Sequence, residues 1–166
     1  MKEKLKKLPI QIAVRAIIIN EEQKVMFIKR APGTFGGGKW CLVGGKPNGD
    51  EDLEKAIARE TQEEICAQFT LTPYAKIENP DTSTGVRWIT HYFAGTSNSL
   101  PTQFDTKEVS EIAFFSQSEI EGLDIAFDHK EIVKQYLRKK TVSQKNRACK
   151  TYPSLKLFSD ELPGNN

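Results

Sequence analysis

The chain has 166 residues, of which 38% are hydrophobic and 28% charged, with a formal net charge of +2. This length and composition predict one globular domain with an ordinary core. The small net charge gives no strong indication of nucleic-acid binding, and no apolar run reaches the roughly 20 residues that cross a bilayer, so no membrane contact is expected. Three cysteines without a CxxC pair indicate reduced thiols and a cytoplasmic protein.

The first third of the chain predicts a β-hairpin followed by a glycine-rich loop. Residues 10–19 and 25–29 are rich in β-branched side chains and are separated by a polar turn. The loop at 31–39 has the first part of a phosphate-binding loop, but Trp40 stands where that motif requires Ser or Thr. A strand-like run at 41–43 then follows in place of a helix. A flexible loop beside a binding site is the better interpretation.

A helix is predicted from about residue 50 to residue 66, with acidic residues at its start. Leu53, Ala56 and Ile57 form its buried stripe, and Glu60 and Glu64 fall on nearly the same side of the helix as each other. The helix is therefore apolar in its first half and lined by carboxylates in its second. Unpaired buried charge is costly, and hard divalent cations take oxygen ligands, so these carboxylates indicate a metal site.

The rest of the chain predicts strands at 69–77, 86–94 and 112–115, then a short helix and a final helix. The polar segment 95–110 is expected to be a functional loop over a site. Ser116, with Glu119 three residues later, predicts a capping box for the short helix. The final helix is predicted from about 127 to 139. Residues 140–166 then form a basic C-terminal extension, either flexible or docked on the body or on a second subunit.

The segment 45–67 resembles the Nudix box, Gly-x5-Glu-x7-Arg-Glu-U-x-Glu-Glu-x-Gly-U, in which U is a bulky aliphatic residue. Six residues fall at the fixed positions of this motif: Gly45, Glu51, Arg59, Glu60, Glu63 and Glu64. Three positions depart from it. Thr61 and Ala67 occupy the two aliphatic positions, and Cys66 replaces the last glycine, which normally supplies a positive φ angle after the helix.

The resemblance implies an α/β fold, a Nudix-like α/β/α sandwich with a mixed sheet, over residues 1–139. It also implies an enzyme that uses Mg²⁺ or Mn²⁺ to hydrolyse the diphosphate linkage of a nucleoside diphosphate derivative. ADP-ribose or a nucleotide sugar is the first candidate for this small-molecule substrate, since residues 127–129 are similar to some ADP-ribose-type members. The alternatives are a nucleoside triphosphate pyrophosphatase that removes oxidised nucleotides and a non-catalytic nucleotide-sensing module. The resemblance also raises the expectation of a homodimer.

The resemblance assigns roles within this motif and in a later loop. The implied metal ligands are Gly44, through its carbonyl, and Glu60, Glu63 and Glu64; the implied catalytic residues are Glu63, Glu64, Arg59 and Glu108. Arg59 is expected to orient a carboxylate, and Glu51 to reach back and hold Arg59 or the start of the helix. Glu108 is preferred to Glu111 as general base or additional ligand, because Glu111 adjoins a strand.

The candidates for substrate binding are Arg30, Trp40 and Arg87. Either arginine is able to hold a phosphate bidentately, although a solvated surface position is the alternative for each. Four aromatic residues are candidates to stack on a base: Trp40, Trp88, Phe35 and Tyr92. Trp40 and Tyr92 lie in strand-like runs, which favours a role in the core for both.

Overall fold

A six-stranded mixed sheet forms the centre of the computed structural model, which describes residues 8–81 and 85–149. The strands are β1 (Ile10–Ile19), β2 (Val25–Arg30), β3 (Trp40–Cys41), β4 (Thr72–Asp81), β5 (Val86–Thr96) and β6 (Val109–Phe115). Their order is β3-β2-β1-β5-β4, and β6 pairs with β2. Strands β1 and β5 are parallel, whereas β1–β2, β2–β3, β2–β6 and β4–β5 are antiparallel. The predicted mixed sheet and N-terminal hairpin are confirmed.

Helices cover both faces of this sheet: α1 (Leu53–Ile65), α2 (Gln117–Gly122) and α3 (His129–Cys149). Side chains alternate along a strand, so Val14 and Ala16 of β1 pack in the cluster that contains α1, while Ile17 and Ile19 pack in the cluster that contains α3. Helix α1 contributes Ala56, Ile57 and Ile65 to the first cluster; α3 contributes Ile132, Val133, Tyr136 and Leu137 to the second. The predicted α/β/α sandwich is therefore confirmed.

The chain beyond β3 runs alongside β1 and leads directly to the acidic helix. The Ala16 N–H donates to the Val43 carbonyl, and the Val14 N–H donates to the Gly45 carbonyl, each at 2.9 Å. This pairing places Gly44 beside Arg15, at the middle of β1.

Both ends of α1 are fixed by local hydrogen bonds. The Asp52 carboxylate accepts from the N–H groups of Glu54 at 2.9 Å and Lys55 at 3.2 Å, as an N-cap does. At the other end Cys66 has φ 49° and ψ 35°, and its N–H donates to the Gln62 carbonyl. Cys66 thus adopts the left-handed conformation for which the motif normally uses glycine, at a cost of about 1 kcal/mol relative to glycine.

Thr61 occupies an aliphatic position of the motif and is fully buried. Its hydroxyl donates to the Ala58 carbonyl of the same helix at 3.0 Å. Because this bond satisfies the hydroxyl donor, the side chain can lie in an apolar environment without an unpaired polar group.

The structure differs from the sequence prediction mainly in the lengths of elements. Strand β4 is shifted towards residue 81, β6 begins at Val109 rather than at 112, and the capping box of Ser116 and Glu119 at α2 is confirmed. The predicted end of the last helix at 139 was wrong, since α3 continues to Cys149. Residues 140–149 contain no glycine or proline, and their Lys, Arg, Gln and Ala are compatible with a helix.

The predicted extension therefore begins within α3, and residues 150–166, for which docking was considered, lie outside the described residues. Among the helices of the described part of the chain, none combines the length and the apolar character that a membrane span needs.

Candidate active site

The second half of α1 carries three glutamates that differ in their exposure. Glu64 is only 5% exposed, and Glu60 is also largely buried, whereas the Glu63 side chain is 59% exposed. Their spacing of three and four residues brings all three to one side of the helix. The structure therefore brings together the carboxylates that the motif predicted to act as a group.

Arg59 is the cation of this cluster. Its Nε and Nη2 donate to the Glu51 carboxylate at 2.9–3.3 Å, and Nη2 also donates to the Lys46 carbonyl. Its Nη1 donates to Glu60 at 3.0 Å and to Glu63 at 2.8 Å. One guanidinium thus connects three carboxylates with the segment that precedes the helix, and Glu51 holds Arg59 as the sequence analysis expected. The bonds to Glu51 contribute most to raising the pKa of Arg59.

Glu64 is held by the backbone rather than by a side chain. Its Oε2 accepts a hydrogen bond of 2.8 Å from the Gly44 N–H. Burial raises the pKa of Glu64 to about 7, although the Gly44 bond and the nearby Arg15 charge act in the opposite direction. Burial likewise raises the pKa of Glu60, against the influence of Arg59. The buried Glu64 and the partly buried Glu60 therefore have too little positive charge around them to offset the loss of solvation.

Gly44 and Gly45 allow the chain to approach both β1 and α1 closely. Gly44 has φ 133°, and a side chain there would clash with the Val14 carbonyl. A side chain at Gly45 would occupy the space of the Glu60 carboxylate. The backbone contact and the positive φ angle require glycine at Gly44, whereas a side chain at Gly45 would have to displace the Glu60 carboxylate.

Of the two later acids, only Glu108 lies near the cluster. It follows a turn in which its N–H donates to the Asp105 carbonyl, while the Asp105 N–H donates to the Glu64 carbonyl at 2.9 Å. The Glu108 charge is close enough to contribute to the raised pKa of Glu64. Glu111 lies on β6 and forms a salt bridge of 3.5 Å with Lys29. The loop after β5 therefore reaches the carboxylates through the turn at 105–108.

The three candidates for substrate binding lie in different environments. The Arg30 Nε donates to the Phe35 carbonyl at 2.6 Å, which fixes the glycine-rich loop. The Arg87 Nε is 3.3 Å from Glu78, at an angle that leaves it without a hydrogen bond among the described residues. Trp40 is 8% exposed and packs edge-on against Phe115 at 4.7 Å, in the core position that was considered for it.

Arg15 belongs to this site, and the sequence analysis assigned it no role. Its charge acts on the carboxylates of both Glu60 and Glu64, and its guanidinium carbon lies 6.0 Å from the centre of the Phe127 ring. The signal in the sequence was one charged residue in the middle of a strand whose other central residues are apolar.

The donor set of this cluster suits a hard divalent cation. Across residues 8–81 and 85–149 no group of three acidic, histidine or cysteine side chains is arranged to hold a metal ion. In this cluster Glu60 and Glu63 accept hydrogen bonds from Arg59, and Glu64 accepts one from the Gly44 N–H. All the available donors are carboxylate or carbonyl oxygens, which Mg²⁺ and Mn²⁺ prefer. The raised pKa of Glu60 and of Glu64 indicates that an additional positive charge would be stabilised there.

Comparison with known proteins shows the family to which the chain belongs. The family model described as NUDIX domain matches residues 9–136. No curated protein sequence matches the chain. Among solved structures, a MutT protein from Methanosarcina mazei Go1 is 25% identical, with a TM-score of 0.69 over 81% of this chain and 97% of that one.

Two further solved structures share the fold. The NUDIX domain of Shewanella oneidensis NrtR, complexed with ADP ribose, is 20% identical, with a TM-score of 0.67 over 78% of this chain and 87% of that one. A bifunctional NMN adenylyltransferase/ADP ribose pyrophosphatase from Francisella tularensis is 25% identical, with a TM-score of 0.63 over 82% of this chain and 44% of that one. With the family model matched over most of the chain, this protein belongs to the Nudix family and is a Nudix hydrolase, an enzyme that acts on phosphoric anhydrides.

Proposed function

We propose that this enzyme hydrolyses the diphosphate linkage of a nucleoside diphosphate derivative, with ADP-ribose or a nucleotide sugar as the first candidate, and requires Mg²⁺ or Mn²⁺. The observation that carries the proposal is the buried Glu64, whose raised pKa and neighbour Glu60 leave the cluster short of positive charge. A diphosphate brings further negative charge, so both the protein and the substrate favour a divalent cation here. The ADP-ribose bound to the Shewanella domain and the activity named for the Francisella protein support the choice of substrate.

In this proposal the ligands are Glu60, Glu63, Glu64 and the Gly44 carbonyl. A cation held there would neutralise the diphosphate and lower the pKa of a bound water. Arg59 keeps Glu60 and Glu63 on the same side of the helix, because its guanidinium donates to both. The Gly44 N–H keeps the Glu64 carboxylate pointing at the segment that precedes α1.

Glu108 is proposed as the general base. Its turn is attached to α1 through the bond from the Asp105 N–H to the Glu64 carbonyl, so the two carboxylates stay close. Water attacks one phosphorus atom, its proton passes to Glu108, and the bond from that phosphorus to the bridging oxygen breaks. The products are a nucleoside monophosphate and a second phosphate monoester, formed without oxidation or reduction.

A triphosphate pyrophosphatase is the second candidate. The same carboxylates serve either reaction, since both break a phosphoric anhydride. Arg30 and Arg87 are proposed phosphate contacts in either case. For Arg30, phosphate binding would use Nη2, since Nε donates to the Phe35 carbonyl and Nη1 to the Cys41 sulfur. The homodimer and the cytoplasmic location stay predictions.

The test is a panel of ADP-ribose, UDP-glucose, dinucleotides and 8-oxo-dGTP, incubated with MgCl₂ or MnCl₂ and analysed by chromatography of the products. Turnover of a diphosphate derivative to a nucleoside monophosphate supports the proposal, and its loss in EDTA supports the metal requirement. Release of pyrophosphate from 8-oxo-dGTP alone would favour the second candidate. If no compound is hydrolysed, or if Glu64→Gln turns over like the wild type, the proposal fails.

A further inference from the structure

Two phenyl rings are stacked at the surface beside the carboxylate cluster. Phe35 of the glycine-rich loop is 82% exposed, and Phe127, just before α3, is 51% exposed. Their ring centres are 6.2 Å apart and their planes differ by 27°, which is an offset stacked arrangement. Exposing two large apolar side chains together is unfavourable in water, and such patches mark sites that are covered by a ligand or partner.

The backbone presents Phe127 in a strained conformation. Its φ of 61° is rare for a bulky side chain and costs of the order of 1–3 kcal/mol. The residues that follow hold it there: the buried His129 accepts from the Leu42 N–H at 3.1 Å, and the Asp128 carboxylate accepts from the Tyr92 hydroxyl at 3.2 Å and from Asn79. The start of α3 is therefore fixed in a position that points the Phe127 ring outward.

The backbone of Phe35 is fixed by a different contact. The Arg30 Nε–H donates to the Phe35 carbonyl, while the neighbouring Gly33 and Gly36 have φ angles of 92° and 74°. This backbone bond leaves the Phe35 side chain unconstrained, and most of its ring is open to solvent. The pair therefore combines the Phe127 ring, which the start of α3 holds in place, with the more exposed Phe35 ring.

Arg15 connects this aromatic pair with the carboxylates. Its guanidinium lies 6.0 Å from the centre of the Phe127 ring, and its charge also reaches Glu60 and Glu64. Within the described residues its side chain makes one hydrogen bond, of 3.4 Å to the Val14 carbonyl, and no salt bridge within 4.0 Å. Most of its five N–H donors are thus available to an anion.

We propose that Arg15 and the stacked pair Phe35–Phe127 bind the nucleoside monophosphate half of the substrate, with the phosphate at Arg15 and the base stacked on the two rings. This proposal rests on the proposed function, because it takes the carboxylate cluster as the place of cleavage. The arrangement matches the chemistry of a nucleotide: an anion next to the reacting linkage, followed by a planar aromatic group. Stacking tolerates any base, since each has a π face.

The stacking of the base on the two rings is tested by calorimetric titration in MgCl₂. The wild type and the variants are titrated with AMP, GMP, CMP and ribose 5-phosphate. The wild type is expected to bind at least one nucleotide more tightly than ribose 5-phosphate. In Phe35→Ala that nucleotide should bind roughly 5- to 100-fold more weakly, with ribose 5-phosphate unchanged. Phe35→Trp should restore binding, and Val142→Ala, at an exposed position on α3, serves as the matched control.

The contact between Arg15 and the phosphate is tested with the variants Arg15→Gln and Arg15→Lys. Arg15→Gln should weaken binding of the nucleotide and of ribose 5-phosphate by a similar factor of about ten or more, leave free nucleoside unaffected, and raise KM more than it lowers kcat. Arg15→Lys should recover part of the loss. Far-ultraviolet circular dichroism checks that each variant is folded.

The proposal is overturned if the wild type binds no nucleotide more tightly than ribose 5-phosphate, if Phe35→Ala binds nucleotides like the wild type, or if Arg15→Gln binds them like the wild type. These binding measurements do not depend on turnover. If no compound of the panel is hydrolysed but nucleotide binding depends on Phe35, the proposed function alone is refuted. If a compound is hydrolysed but nucleotide binding does not depend on Phe35, this inference alone is refuted.

Discussion

Replacement of Glu64 by glutamine is expected to stabilise the metal-free protein above pH 7 while abolishing turnover. Glutamine has the size of the neutral acid and retains an oxygen that can accept from the Gly44 N–H, at present a bond of 2.8 Å. It removes a charge from a position that is only 5% exposed. Activity and stability should therefore change in opposite directions.

The magnitude follows from the pKa of Glu64, which burial raises from its ordinary 4.5 to about 7. Between these pH values the folded protein binds more protons than the unfolded chain, so the free energy of unfolding decreases as the pH rises through this window. At about 1.4 kcal/mol per pKa unit, ionised Glu64 costs roughly 3 kcal/mol above pH 7. Glu64→Gln should thus gain about 1–3 kcal/mol at pH 8 and less than about 1 kcal/mol at pH 5.

The measurement is urea denaturation in EDTA at pH 5 and pH 8, followed by circular dichroism, together with the hydrolysis panel. Glu63→Gln is the matched control, since it removes the same charge from the same helix at a side chain that is 59% exposed. Its effect on stability should stay within about 0.5–1 kcal/mol. A Glu64→Gln variant that is no more stable than the wild type at pH 8, or whose gain does not depend on pH, would refute the reasoning.

Three other substitutions address the geometry of the site. Gly45→Ala should reduce kcat by about tenfold or more because the new methyl group displaces the Glu60 carboxylate, and steady-state kinetics of a variant with a normal circular dichroism spectrum checks this. Cys66→Gly should stabilise the protein by about 0.5–1 kcal/mol in urea denaturation, because glycine adopts φ 49° without strain, and a loss of stability would contradict this explanation. Arg59→Lys should lower kcat by about tenfold or more and cost about 1–2 kcal/mol of stability, because one ammonium cannot replace the planar fork shared by three carboxylates. Activity at the wild-type level would show that the guanidinium is not needed to orient the ligands.

The sequence predicted the acidic cluster well because its information is local. The spacing of Glu60, Glu63 and Glu64 on a helix determines which side they share, whatever the rest of the fold does. The structure also places Glu51 on Arg59, as the motif suggested. The sandwich and its mixed sheet followed from the family resemblance.

Positions that depend on tertiary contacts were harder to predict. Arg15 lies on β1 and Phe127 just before α3, and the two residues that meet here are more than 100 residues apart in the chain. Nothing in the local pattern of either residue shows that they meet. The continuation of α3 from residue 139 to Cys149 was missed for a different reason, since the basic, polar run that follows residue 139 resembles a solvated tail.

The ion pairs of Arg59 have a consequence for how the enzyme matures. Many small metalloproteins cannot fold until their ligands are neutralised by the ion, so the supply of metal controls their folding. Here a guanidinium of the same chain already neutralises part of the charge on Glu51, Glu60 and Glu63. The charge on these three carboxylates therefore does not by itself make folding depend on a metal ion, and the proposed cation would have to compete with an internal counter-ion.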